Sequence, residues 1–289
     1  MKKVNFYLPF KERAAMYGVV VKKIRLDKGL PLKSVYTEVC SKTNAIKFES
    51  GERTLAVDKF YQVLSNLMMT MDEFQWIKNG YRPQLDVYHS YRISKSWNAN
   101  KIAQFEKYIR HIESSTIGIE RIQLANYRLL ENYEKGLKLN EQELSIVIDY
   151  FSNLLTWTLS DLKFFANNCY FLPYPLMGQL LKEALKVQSR YKYYPNSDHV
   201  FATVLINCIE RMIKEKDVSN ALSSLSILND LITGITMDGY RLLAKYYEAK
   251  ITFLYLDTEA GRESLEDLLK VANFFDNSQL AEEIEELLK

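Results

Sequence analysis

Glycine and proline are scarce in this chain, 10 and 6 among 289 residues, and its β-branched residues do not gather in alternating runs. Sheet is thereby excluded as the main architecture, and helix is favoured nearly throughout. Cysteine is scarcer still. Cys40, Cys169 and Cys208 are odd in number, far apart and without C-x-x-C spacing, which argues against a disulfide framework or a zinc site and for reduced core residues. Histidine is limited to His89, His111 and His199, none with Glu or Cys at metal-ligand spacing. G-x-S-x-G, P-loop and G-x-G-x-x-G motifs are all missing. No catalytic residue, metal or cofactor is expected, and the chain does not read as an enzyme. No apolar run approaches the roughly 18 residues that span a bilayer. The opening MKKVNFYLPFKER has too short an apolar segment for a signal peptide and no small-residue cleavage site. A cytoplasmic protein with no membrane partner is the expectation.

What is present is apolar mass, 47 % of residues, over a length that exceeds the usual reach of a single core, so two domains are expected. Charge is divided between them. Residues 1–80 carry 14 Lys and Arg against 8 Asp and Glu, a balance of +6, whereas residues 81–289 carry 24 against 28, a balance of −4. The basic end is the candidate for a polyanionic partner.

That end reads as five short helices. Ala14, Tyr17, Val21 and Ile24 have helical spacing and Gly29 supplies a stop. Pro31 suits the first turn of a second helix, with Val35 and Val39 on one face. Ser41 can cap a third, with Ala45 and Phe48 inward and Gly51 as terminator. A fourth opens near Thr54 with Phe60, Leu64 and Leu67 aligned, and Thr70 with Glu73 has the form of a capping box for a fifth. Helices two and three are joined by almost nothing, the helix-turn-helix arrangement. The outward side of helix three is then Lys42, Thr43, Asn44 and Lys47, with Arg53 just beyond. Lys can reach phosphate or guanine, and Asn can bridge adenine N6 and N7. Double-stranded DNA is the expected partner.

The run IRLDKGLPLKSVYTEVCSKTNAIKFESGER, with TLAVDKFYQVLSNLMMTMDEF after it, resembles the XRE-type helix-turn-helix over roughly residues 14–76. The resemblance implies that Arg25 and the Glu49 of the Phe–Glu–x–Gly motif form a structural ion pair. Two features depart from it. Pro31–Leu32 replaces the usual Thr–Gln, removing a phosphate contact, and Ile46 puts an apolar side chain near where DNA should lie.

A linker is placed at 81–100, where periodicity fades. Amphipathic segments then follow at about 99–114, 117–135, 140–155, 159–171, 174–191, 198–215, 219–233, 237–255, 261–274 and 277–288, broken at Gly136, Pro173, Pro195, Asp217, Gly234 and Gly261. Helices joined by short loops stack most easily as antiparallel pairs, and pairs of about forty residues in series make a solenoid with a concave face. The whole chain is therefore expected to be all-α, a five-helix domain at 1–80 followed by a tetratricopeptide-like α-solenoid at 101–289. The acidic AEEIEELLK reads as its last capping helix, with Ile284, Leu287 and Leu288 in helical pattern.

Within TWTLSDLKFFANN, the residues Trp157, Asp161, Phe164, Phe165, Ala166 and Asn167 match a pattern of Rgg-type regulators, with Ser160 where an aromatic is common. Together with the front end and the total length, the chain resembles the Rgg/GadR/MutR family throughout. The resemblance implies a Gram-positive transcription regulator working as a homodimer, its repeat domain binding a short peptide pheromone in quorum sensing. The residues offer their own support. Asn126, Asn167, Asn207 and Arg241 lie inside alternate helices at spacings of 41, 40 and 34. Asn is unfavourable within a helix, and its amide can both donate to and accept from an extended peptide. Arg241 could take a carboxylate in bidentate fashion, while Phe171, Tyr240 and Tyr247 shape pockets. The alternative is a helical scaffold for protein partners whose helix-turn-helix no longer binds DNA; Pro31–Leu32 and Ile46 support it.

Overall fold

The computed structural model describes residues 10–81, 109–110, 113 and 118–289. Among them every regular element is helical. The expected linker beyond Tyr81, most of the helix expected at 99–114, and His89 and His111 lie outside the described residues. The chain divides into two compact units, residues 1–108 and 109–289.

The first unit contains α1 (Phe10–Asp27), α2 (Leu32–Tyr36), α3 (Lys42–Glu49), α4 (Val57–Asn66) and α5 (Met71–Lys78). One face of α1 buries Val21 and Ile24, and α3 turns Ala45 and Phe48 into the same core. Phe60 is the hinge of that core. Its ring lies 5.5 Å from Tyr17, 5.0 Å from Phe74 and 6.2 Å from Phe48, the edge-on geometry that aromatic quadrupoles favour. Helix two is shorter than its apolar spacing suggested. Thr37 leaves the helical region at ψ 134 and Glu38 follows at φ +67, so Val39 is buried from the turn rather than from the helix. Helix four starts at Val57, later than Thr54, because the chain up to Ala56 is extended. Thr70 accepts the Glu73 N–H at 3.2 Å, one half of the capping box its spacing suggested.

The second unit contains α6 (Gly118–Glu134), α7 (Glu141–Ser152), α8 (Leu159–Asn168), α9 (Tyr174–Lys186), α10 (Ser197–Lys214), α11 (Val218–Leu231), α12 (Asp238–Ile251), α13 (Thr258–Phe274) and α14 (Ser278–Leu288). Asn140, Thr158, Asp217, Asp257 and Asn277 each cap a helix by accepting a first-turn N–H. The helices α6, α8, α10 and α12 pack side by side in series. Their contacts repeat in sequence: Asn207 Nδ2 donates to the Ala166 carbonyl, the Tyr170 hydroxyl to Glu210 and the Tyr240 hydroxyl to the His199 carbonyl, pairs 40 or 41 residues apart. A repeat of about forty residues is thus written into the hydrogen bonds.

Several helix ends fall short of the expected ones. The segments expected at 159–171 and 174–191 stop at Asn168 and Lys186, the latter followed by a 3₁₀ turn at Gln188–Tyr191. The segment expected at 237–255 ends at Ile251 in a π turn, Thr252–Leu256. Gly261 is no break. It lies inside α13, where a methyl group would sit 2.2 Å from the Phe253 backbone nitrogen, so its smallness serves close approach to the π turn.

Candidate functional site

In the first unit, α3 is held from three sides. Gly18 of α1 approaches the Phe48 carbonyl so closely that a methyl there would be 1.7 Å from its oxygen. Arg25 donates from Nε and Nη2 to the two Glu49 carboxylate oxygens, each at 2.7 Å, and from Nη1 to the Leu30 carbonyl at 2.8 Å. The guanidinium proton is held more tightly than usual, chiefly because of the bond to Glu49. Third, Ser41 caps the helix by accepting the Asn44 N–H. The ion pair implied by the sequence resemblance is present, and it fixes the rotation of α3 about its axis.

That rotation leaves Lys42, Thr43 and Lys47 exposed and Asn44 half-buried. Neither lysine has an ion-pair partner among the described residues. After Gly51, at φ +80, the N–H groups of Glu52 and Arg53 return to the Lys47 carbonyl, which brings the Arg53 guanidinium onto the Asn44 side-chain oxygen. Ile46 is 51 % exposed between these polar groups.

In the second unit, the packing of α8 decides which residues face outward. Trp157 stacks on Phe151 with centroids 5.7 Å apart, and Phe165 and Ala166 are buried. Asp161 closes a reciprocal cap with Thr158 and accepts the Tyr150 hydroxyl. Asn167 is left exposed. It lines a groove of about 450 Å³ with Lys163, Tyr194, His199, Thr203 and Tyr240. The Tyr240 hydroxyl is 2.9 Å from Thr203 Oγ1, and its ring meets His199 edge-on at 5.5 Å. Asn207 is one turn along α10 from Thr203, half-buried, with its amide nitrogen on Ala166 and its oxygen available.

The other expected contacts are placed differently. Asn126 is buried, its side-chain oxygen without a partner among the described residues. Arg241 does not stand free for a ligand carboxylate: its guanidinium donates to the Ile232 and Thr233 carbonyls at 3.1 and 2.9 Å and to Asp238 at 2.6 Å. It closes the C-terminal end of α11, as cations do at exposed helix carbonyls. Phe171 is buried edge-on against Tyr133, and Tyr247 is buried with its hydroxyl 3.4 Å from Glu210.

Lys163, His199, Thr203, Glu210 and Lys214 were not singled out from sequence. A signal existed. Thr203, Asn207, Glu210 and Lys214 are spaced i, i+4, i+7 and i+11, one stripe of a helix, and a shift of about forty residues carries the stripe to Lys163, Asn167 and Tyr170 on α8. Extending each Asn along its own helix would have found them.

Among the described residues, three or more metal-ligating side chains nowhere cluster, and no helix is long and apolar enough to cross a membrane. Residues 91–286 match the family described as HTH-type transcriptional regulator Rgg, C-terminal domain. Solved structures share the fold at low identity. A putative transcriptional regulator from Listeria monocytogenes EGD-e is 21 % identical with a TM-score of 0.81, covering 94 % of this chain and 96 % of that one. The Streptococcus dysgalactiae SHP pheromone receptor Rgg2 is 16 % identical with a TM-score of 0.74, over 93 % and 97 %. The PrgX/cCF10 complex is 18 % identical with a TM-score of 0.69, over 94 % and 98 %.

Proposed function

Because this chain belongs to the family of Rgg-type transcriptional regulators, we propose that it binds operator DNA through α3 and is switched by a short peptide held along α6, α8, α10 and α12. Residues 1–80 are then the DNA-binding domain, 81–100 the linker and 101–289 the peptide-binding and dimerisation domain. Lys42, Thr43, Asn44, Lys47 and Arg53 face the duplex. Asn167 and Asn207 hold peptide backbone, Tyr240 shapes the groove, and Tyr247 and Phe171 support it from beneath; Asn126 would join only if the helices around it part.

The observation that carries the reading is the division of α3: Ala45, Phe48 and Glu49 buried, Lys42, Thr43 and Lys47 exposed, with neither lysine ion-paired among the described residues. The close packing of α8 with α10 and of α10 with α12 supports the other half. In a curved array the row whose helices approach most closely lies on the inside, and the groove at Asn167 opens on that row. In a homodimer, two α3 helices reach half-sites about one duplex turn apart. A peptide that favours one arrangement of the repeat domain shifts the spacing of the two DNA-binding domains and with it the affinity for the operator.

The test is a mobility shift on the DNA upstream of the gene, at several salt concentrations. Lys47→Ala should weaken binding and lower the salt slope by about one per half-site, with the circular dichroism spectrum unchanged. No shift by the unaltered protein at low salt would favour the scaffold reading, which exposed Ile46 supports.

A further inference from the structure

The row of α6, α8, α10 and α12 ends in a place where two ammonium groups gather and one carboxylate pairs with one of them. Lys214 Nζ lies 3.1 Å from Glu210 Oε1 and 3.3 Å from the Tyr133 hydroxyl. The other oxygen of Glu210 accepts the hydroxyls of Tyr170 and Tyr247 at 3.2 and 3.4 Å. Lys250, on α12, lies 5.2 Å above the Tyr246 ring and 3.3 Å from its hydroxyl, and has no ion-pair partner among the described residues. Its proton affinity is pushed down by burial and by Lys214 and pulled up by Glu210 and Glu283, with a net lowering. Arg211, beside them, is committed to the Tyr170 carbonyl and Glu215.

A half-buried ammonium without a counter-ion is costly, and a bound anion relieves that cost. The walls are aromatic rings, which suit an acid carried on an organic chain better than a hydrated inorganic ion. Position adds a second argument. Asn207 precedes Lys214 by seven helical residues, roughly 10 Å, which is about three residues of extended peptide.

We propose that Lys214 and Lys250 form a subsite for a carboxylate of the bound peptide, C-terminal or side-chain, about three residues from the segment held at Asn167 and Asn207. Glu210 positions Lys214 and competes with the ligand for it. This rests on the peptide reading above.

The test is affinity selection on the full-length protein from pooled apolar octapeptides, with or without one Asp or Glu, each as free acid and as C-terminal amide. Carboxylate-bearing peptides should be retained about tenfold or more over neutral ones, and the enriched pool distinguishes a terminal from a side-chain source. The double variant K214Q/K250Q should still retain peptide but lose the preference, E210Q should strengthen it, and K182Q, at an exposed lysine of α9 that does not line the groove, should leave it unchanged. If the double variant melts early, K250Q alone serves, since that side chain makes no ion pair. A wild type that retains peptides without regard to charge overturns the subsite, as does a preference that survives K214Q/K250Q or disappears with K182Q. Retention of no peptide from any pool overturns the peptide reading itself, and the subsite with it.

Discussion

Glu49 is 4 % exposed, and its charge is met by a bidentate guanidinium. Removing one partner from such a pair leaves the other charge buried and uncompensated, at a cost of roughly 3–5 kcal/mol. Glu49→Ala should therefore lower the urea midpoint of the first unit far more than Glu52→Ala, at the exposed neighbour. Equal effects would mean that the pair does not hold α3. Single residues were legible where chemistry leaves few choices, Ser41 and Thr70 as caps and Ala45 and Phe48 as inward positions, and Arg25 with Glu49 through the family resemblance. Arg241 was not, because a guanidinium suits a ligand carboxylate and the carbonyls of a helix end equally well. Which it meets depends on where the chain turns at Ile232–Gly234.

At the scale of elements, two glycines inside helices reveal what spacing conceals. A glycine in an exposed helix is usually improved by alanine, by up to about 1 kcal/mol. Gly18→Ala should do the reverse, because its methyl would meet the Phe48 carbonyl at 1.7 Å and displace α3 from α1. A melting temperature that falls, together with weakened DNA binding, is the expected result; a rise would show that α1 and α3 are not so close. Gly261 has the same role against Phe253, and for that reason read in sequence as a break. Periodicity reports which side of a helix is apolar, but is silent on how near the next backbone comes. The early ends of α2 and α12 come from the backbone turn at Thr37–Glu38 and from a π turn at Thr252–Leu256.

Across the whole molecule, tyrosine hydroxyls do much of the joining between repeats, and that has a pH consequence. Burial, helped by Asp161, pushes Tyr150 up to about 12, and burial raises Tyr170, Tyr174, Tyr246 and Tyr247 further, with Glu210 or Asp217 beside them. In the unfolded chain these groups ionise near the usual tyrosine value of about 10. Their contribution to stability is complete below that pH and is lost as pH rises through the folded values. The repeat unit should lose thermal stability steeply above about pH 10, with tyrosinate absorbance appearing together with loss of helical circular dichroism. Tyrosines that ionise near their usual value while the helices persist would contradict this.

The sequence by itself determined the all-helical class, the helix-turn-helix and the forty-residue repeat, because these rest on local signals: capping residues, breakers and the period of apolar positions; the family came from the resemblance of its motifs. It also pointed to Asn167, a polar residue inside a helix, and to the basic face of α3, from the outward side of a helix-turn-helix in a basic region. Only the tertiary structure decided that Asn126 is buried, that Arg241 is occupied, and that Glu210, Lys214 and Lys250 share one place. Those outcomes depend on contacts between residues some forty positions apart or across a turn, where the rotation of each helix about its axis, set by packing, decides which side chains meet.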